Sequence, residues 1–321
     1  MSTKALDYKD VHLVSSAIST INSRNDIDVS VDFCGLKLKN PIISSPMSDV
    51  SDGYLVQTVM NNGGFGFIHR FWSVSQQISE CKKAPGCGAA IGINGDWLER
   101  FQELYHLGCR IFCLDVALGA HTNVERAIRE LYKQSSDIHL IVGNVASHEG
   151  YNFLAKEYGV KGIRVGIAGG KSCSTKNKTG IYYPAFSLLS DINEHRTYPE
   201  VSIIADGGIR EPGDMCKSIF AGADVIMLGS MLSNTKESPA VKIPSNGKWY
   251  TQYRGSASFD IQKTYKDIPK YIEGKTSLIE HEFKTVGEVM ASFIEGLISS
   301  MSYANARTLT EYRKNMRYIT V

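Results

Sequence analysis

Of the seven cysteines in this 321-residue chain, Cys173 alone lies in a glycine-rich, cationic stretch, Gly166-Ile-Ala-Gly-Gly-Lys-Ser-Cys-Ser-Thr-Lys-Asn-Lys-Thr-Gly180. A thiolate, not a thiol, is the nucleophile of cysteine chemistry. Lys171 and Lys176 stand where their charge is expected to favour that anion. By composition alone Cys173 reads equally as a nucleophile or as a structural thiol. The cysteines at 34, 81, 87, 109, 113 and 216 fall in apolar or helical runs and read as small buried hydrophobes. An odd number of scattered cysteines with no C-x-x-C pair argues against a disulfide framework or a structural zinc site, and a reducing cytoplasm is the expected location.

Eight short, β-branched, nearly continuous apolar runs must position that loop: 41–44, 65–68, 89–93, 111–116, 140–145, 162–167, 202–205 and 225–228. Such runs suit parallel strands buried on both faces. Helix-like patterns separate them at 52–61, 73–82, 96–107, 123–133, 148–158, 185–194 and 213–221, with Ser73 (Gln76 three residues on) and Asp96 as N-caps. Eight such units over some 250 residues predict an α/β fold of the (β/α)8 TIM-barrel type. A doubly wound sheet fits less well, because no G-x-G-x-x-G follows the first strand and eight units overfill it. Two segments exceed what the barrel needs: the stretch carrying Cys173 (168–184) and a flap excursion over 242–280. A final helix is expected over 286–300. The whole chain, 1–321, reads as one barrel domain without a linker.

In such a barrel the chemistry sits at the C-terminal strand ends. In order those ends offer Met47 with Ser44 and Ser45, His69 and Arg70, Asp115, Asn144, the stretch 166–179, Asp206-Gly207-Gly208, and Gly229-Ser230. Glycines after strands seven and eight let main-chain N–H groups converge on a phosphate, though each turn alone is also an ordinary tight turn.

Composition removes other classes. Charges nearly cancel, 35 Lys and Arg against 33 Asp and Glu for a net +2, which gives no global attraction to nucleic acid or an acidic membrane. Tyr250 to Arg254 with the lysines at 263, 266, 270 and 275 is the one basic-aromatic candidate, and it reads better as a substrate flap. No apolar run approaches the ~18 residues of a membrane span, and the first ten residues lack a signal-peptide core.

The chain resembles the IMP dehydrogenase and GMP reductase superfamily over nearly its whole length. The resemblance is carried by Asn40-Pro-Ile-Ile-Ser-Ser-Pro-Met47, Gly63-Gly-Phe-Gly-Phe-Ile-His69, Leu114-Asp-Val-Ala117, Gly143-Asn144, Arg164-Val-Gly166, Cys173-Ser-Thr175, Thr179-Gly180, Ala205-Asp-Gly-Gly-Ile209, Leu228-Gly-Ser230 and Tyr253-Arg254. It implies a barrel, usually tetrameric, that binds a purine nucleotide monophosphate and a nicotinamide cofactor. Asp115-Val-Ala117, the match at Glu273-Gly-Lys-Thr276, the short span from Tyr253-Arg254 to Glu273, and Ser73 leading straight to Gln76-Gln77 with no regulatory insert resemble the reductase branch. That branch implies NADPH-dependent conversion of GMP to IMP and ammonia through a covalent thioimidate on Cys173. Thr175 and Glu273 would then relay protons, with Arg70 at the position of a catalytic lysine. Met47, Asn144, Lys171, Asp206, Gly207, Gly208, Gly229, Ser230, Tyr253 and Arg254 would hold the nucleotide. Asp115, Val116 and Ala117 would face the cofactor, and Gly170 with Cys173 would ligate K+. A dehydrogenase lacking the insert and using NAD, a member acting on another purine nucleotide, and a binding protein without turnover are the alternatives.

Five positions depart from the family pattern. Ala168 replaces a glycine of the cation loop, Lys171 a phosphate-binding serine, Arg70 the lysine, Leu118 an asparagine and Lys176 an arginine. Alanine at a position needing positive φ costs about 1 kcal/mol or more, and an arginine that stays protonated cannot donate a proton in turnover.

Overall fold

The computed structural model describes residues 4–15, 18–265 and 268–321; Lys266 of the basic-aromatic stretch lies outside the described residues. Eight parallel strands form one sheet: β1 (Ile42–Ser44), β2 (Phe67–Ile68), β3 (Gly88–Ile91), β4 (Ile111–Asp115), β5 (His139–Val145), β6 (Val160–Val165), β7 (Ser202–Asp206) and β8 (Val225–Leu228). Each pairs with the next from β2 to β8, and β8 pairs with β1 in the register Ile226↔Ile42, Met227↔Ile43, Leu228↔Ser44. A parallel bridge between Ile43 and Phe65 closes the ring. The predicted (β/α)8 barrel is present, with all eight strands where the apolar runs place them.

The helices follow the expected pattern as α1 (Gly53–Asn61), α2 (Val74–Lys83), α3 (Trp97–Leu107), α4 (Thr122–Gln134), α5 (His148–Ala155), α6 (Ala185–His195), α7 (Pro212–Phe220) and α8 (Val286–Tyr303). Ser73 and Gln76 form the capping box read from sequence. Asp96 does not cap α3: its carboxylate accepts from Arg100 Nη2 at 2.7 Å, because a buried guanidinium one turn on outcompetes a main-chain N–H.

The barrel interior is apolar. Ile43, Phe65, Phe67, Ala90, Cys113, Ile141, Ile204 and Met227 pack together inside it. A hairpin that the sequence reading missed, Val31–Phe33 with Leu36–Leu38, adds Phe33 and Leu38 to that cluster beside Ile111 and Val225, the first residues of β4 and β8. It therefore plugs the N-terminal end of the barrel, and the C-terminal end is left for chemistry. The segment expected as a flap folds as a three-stranded antiparallel sheet, Lys242–Ser245, Lys248–Arg254 and Thr276–Glu280, with a short helix, Phe259–Tyr265, in the last connection. No helix among the described residues is long and apolar enough to cross a membrane.

Candidate active site

A cleft of about 490 Å³ opens at the C-terminal strand ends, within the ~300–1,000 Å³ common for small-molecule sites. Its wall includes Met47, Arg70, Asp115, Val116, Ala117, Asn144, Gly170, Lys171, Cys173, Thr175, Asp206, Gly207, Gly208, Gly229, Ser230, Tyr253 and Glu273. Of the residues assigned from sequence, only Arg254 is not on that wall. Its guanidinium and main-chain N–H are held by Asp49, which is 1% exposed, with Nε 3.1 Å from Oδ1 and the N–H 2.7 Å from Oδ2.

One part of the wall is a hydrogen-bonded chain of three side chains. The Cys173 thiol donates to Thr175 Oγ1 at 3.2 Å, and the Thr175 hydroxyl donates to Glu273 Oε2 at 2.6 Å. Cys173 is half-buried, whereas the other six cysteines are buried as expected. Burial pushes the Cys113 thiol up to about 12 and that of Cys216 to about 11, so neither is a nucleophile. The main chain joins the two segments that carry the trio: Ser174 N–H donates to Glu273 O at 2.7 Å and Lys275 N–H to Ser172 O at 2.9 Å. Ser172 Oγ adds a bond to Tyr253 O at 3.0 Å. The Lys176 ammonium, expected beside the thiol, lies 4.1 Å from the Tyr182 ring centroid in a cation–π contact between residues six apart in the chain.

Beneath the trio runs a buried ion network. Arg164, on β6 and 6% exposed, reaches Asp115 Oδ1 at 2.6 Å with Nη1 and Asp206 Oδ2 at 2.9 Å with Nη2. Arg70 Nε meets Asp115 Oδ2 at 3.2 Å, and Asn144 Nδ2 donates to Asp206 Oδ2 at 2.8 Å. Burial works against the Asp115 charge, but Arg164 and then Arg70 outweigh it and hold the carboxyl below its ordinary range. Burial likewise opposes the Arg164 charge, and Asp206, Cys113 and Asp115 more than offset it. Asp206 Oδ2 takes all three of its bonds, from Asn144 Nδ2 and from Arg164 Nε and Nη2, so Oδ1 is left for a ligand hydroxyl. Sequence reasoning missed Arg164 as a site residue; its one signal is a lone arginine inside a buried apolar strand.

The glycine-rich wall is tight. Gly207 and Gly208 have φ of +92° and +84°, and a Cβ on Gly207 would lie 3.1 Å from Gly170 N. A Cβ on Gly229 would lie 2.7 Å from the Tyr253 hydroxyl, which donates to Met47 Sδ at 3.1 Å. Main chain from three loops can thus approach a phosphate without side chains in the way. Ala168 does occupy the left-handed region, with φ +65°.

Residues 5–321 match the family described as IMP dehydrogenase / GMP reductase domain. The chain is 34% identical over 313 residues to a GMP reductase of Chromobacterium violaceum, covering 96% of each. It is 33% identical over 320 residues to a GMP reductase of Bacillus licheniformis, covering 98% of this chain and 95% of that one. An inosine-5'-monophosphate dehydrogenase of Nitrosopumilus maritimus is 34% identical over 250 residues, 74% of this chain and 52% of the relative. With a barrel, a cysteine loop and a glycine-lined cleft arranged around one another, and a match across 5–321, the chain belongs to the IMP dehydrogenase / GMP reductase family.

Proposed function

We propose that this protein is a GMP reductase that uses NADPH to convert GMP to IMP and ammonia. The observation that carries the reading is the unbroken Cys173–Thr175–Glu273 hydrogen-bond chain on the cleft wall, with donors oriented to take the proton off sulfur. That proton passes through the Thr175 hydroxyl to the Glu273 carboxylate, leaving a thiolate that adds to purine C2. Glu273 returns the proton to the departing 2-amino group, and ammonia leaves a covalent thioimidate on Cys173. The nicotinamide, when bound, supplies the hydride that reaches C2. The C–S bond then breaks, and the sulfur departs as thiolate while IMP forms. Asp206 Oδ1 takes a ribose hydroxyl, Gly207, Gly208, Gly229 and Ser230 hold the phosphate with Lys171 as a point charge, and Met47, Asn144 and Tyr253 shape the space between.

A second flat ring beside the purine belongs to this reading, supported by the apolar side chains of Phe71, Val116, Ala117 and Ile167 lining the same cleft as Asp115. Arg70, tied to Asp115, acts there as a fixed charge. A monovalent cation on the main chain of Gly170 and Cys173 belongs to the same reading. The left-handed turn at Ala168 supports it, because the loop makes that turn without glycine. Assembly as a homotetramer, one barrel domain per chain and a cytoplasmic location complete the proposal.

Mixing the protein with NADPH and GMP is expected to consume the reduced nicotinamide and yield IMP. Cys173→Ala should abolish this, and Glu273→Gln should slow it by roughly 10²–10⁴-fold. Turnover of IMP with NAD in place of GMP with NADPH would move the protein to the dehydrogenase branch. Nucleotide binding with no turnover in either direction overturns the enzymatic reading. Omitting K+ tests the cation, and native mass spectrometry the tetramer.

A further inference from the structure

Away from the cleft, α5 and α6 bring two imidazoles and a carboxylate to one point. His148 opens α5, and Asp191 and His195 are one turn apart on α6, hence on the same face. His148 Nδ1 is 2.9 Å from Asp191 Oδ2, His195 Nδ1 is 3.3 Å from Asp191 Oδ1, and one ligand atom from each residue falls within 4.8 Å of the others. The two rings stack with centroids 4.7 Å apart. The proposed function uses none of these groups.

We propose that His148, Asp191 and His195 bind a divalent transition ion of the zinc class, with solvent as the fourth ligand, and that the ion clips α5 to α6. Two imidazole nitrogens and one carboxylate oxygen suit zinc, whereas magnesium and calcium require mostly oxygen. Ligand atoms around a tetrahedral zinc with bonds of about 2.0–2.1 Å lie about 3.3 Å apart, so atoms now within 4.8 Å of one another need draw together by at most about 1.5 Å. The scaffold is fixed independently of the ligands. Asn152 of α5 donates from Nδ2 to His195 O at 3.0 Å and accepts from Thr197 N–H at 2.8 Å, which holds the end of α6 against α5. His195 Nδ1 also lies 2.9 Å from Asp191 O, so the ion must displace that bond, with the ring proton moving to Nε2. The side chains are 31%, 24% and 49% exposed, which leaves a route for the ion from solvent.

Zinc also binds thiolates, so the test uses the full-length chain carrying Cys173→Ala. Titrating zinc chloride calorimetrically into that protein is expected to show one ion per chain with micromolar affinity, and the same zinc should raise its melting temperature. Adding His195→Ala, or separately Asp191→Asn, should weaken binding at least tenfold and remove the zinc-dependent rise. The melting temperature in EDTA shows whether each variant has folded, and His148→Gln serves as a third variant from the other helix. Absence of binding at millimolar zinc overturns the proposal, as does binding that the folded variants leave unchanged. Substitution by cobalt should give the strong visible absorption of a four-coordinate ion; a weak octahedral spectrum overturns the assigned geometry.

Discussion

Arg164 joins two carboxylates in the barrel mouth. Its fork spans Asp115 and Asp206, and Asp206 in turn faces the cleft. Replacing it with methionine keeps much of the volume but leaves buried charges without their partner, a change that costs about 3–5 kcal/mol. Urea unfolding of Arg164→Met should show that loss, and Arg164→Lys should recover only part of it, because an ammonium cannot bridge both carboxylates as the fork does. The pH dependence follows from Asp115. Its folded pKa lies below its unfolded value of about 3.9, so its contribution is present above that pH and is lost as pH falls through the depressed value. Removing Arg164 should shift this acid limb of the stability curve to higher pH, read as urea midpoint against pH. Ala168 gives a second test at this scale. Its left-handed φ costs about 1–2 kcal/mol, and glycine's extra unfolded-state freedom returns part of that, so Ala168→Gly should stabilise the protein by about 0.5–1 kcal/mol. Unchanged urea unfolding would show that the loop carries no such strain. Asp206 was legible because it ends a strand ahead of two glycines, and Cys173 because of the glycine-rich, cationic loop around it. Arg164 was not, because its role depends on carboxylates 42 and 49 residues away in the chain.

Among the elements, the flap matters most for the chemistry, since Glu273 reaches Thr175 only when the segment after Tyr253 lies against the cysteine loop. Gly274 makes that contact possible: it bridges Cys173, and a Cβ there would meet Ser258 N at 2.5 Å and Ala257 C at 2.8 Å, both main-chain atoms that cannot swing aside. Gly274→Ala should therefore lift the segment that carries Glu273, just before the strand Thr276–Glu280, while leaving the barrel intact. A displacement of ~1 Å at a relay costs roughly 10²-fold in rate, so kcat should fall by about that factor with the urea midpoint nearly unchanged. A variant with normal kcat would show that the flap need not sit this closely. The barrel strands were readable because burial on both faces writes a continuous apolar run. The flap sheet was not: Thr276–Glu280 alternates between exposed and half-buried positions, and its sequence is mostly polar. The hairpin under the barrel escaped for a related reason, since only Phe33 and Leu38 of its six strand residues are buried.

At the scale of the molecule, the two chain ends meet and together support the Gly207-Gly208 side of the cleft. Val11–Ser15 pairs antiparallel with Met316–Thr320, from Val11↔Thr320 to Ser15↔Met316. Just before that ribbon, Leu6 exchanges main-chain and side-chain bonds with Ser187 at the start of α6, and Asp7 accepts from the Tyr182 hydroxyl. Tyr8, 4% exposed, lies between them with its ring 3.6 Å from where a Gly208 Cβ would stand, while Lys217 of α7 donates to its carbonyl at 2.9 Å. From the other end, Tyr318 packs edge-on against Phe186 of α6 and Phe220 of α7, with centroids 4.9 Å and 6.1 Å apart. Removing residues 316–321 unpairs Val11–Ser15 and loosens the seat of Tyr8 without touching Cys173, Thr175 or Glu273. The lost aromatic and strand contacts should lower the melting temperature by about 5 °C. If Tyr8 braces Gly208 against the phosphate, KM for GMP should rise roughly three- to tenfold, about 1 kcal/mol of binding, with kcat held. Steady-state kinetics on the truncated chain separates the two effects: a lower melting temperature with an unchanged KM would mean that the ends stabilise the barrel but do not shape the site.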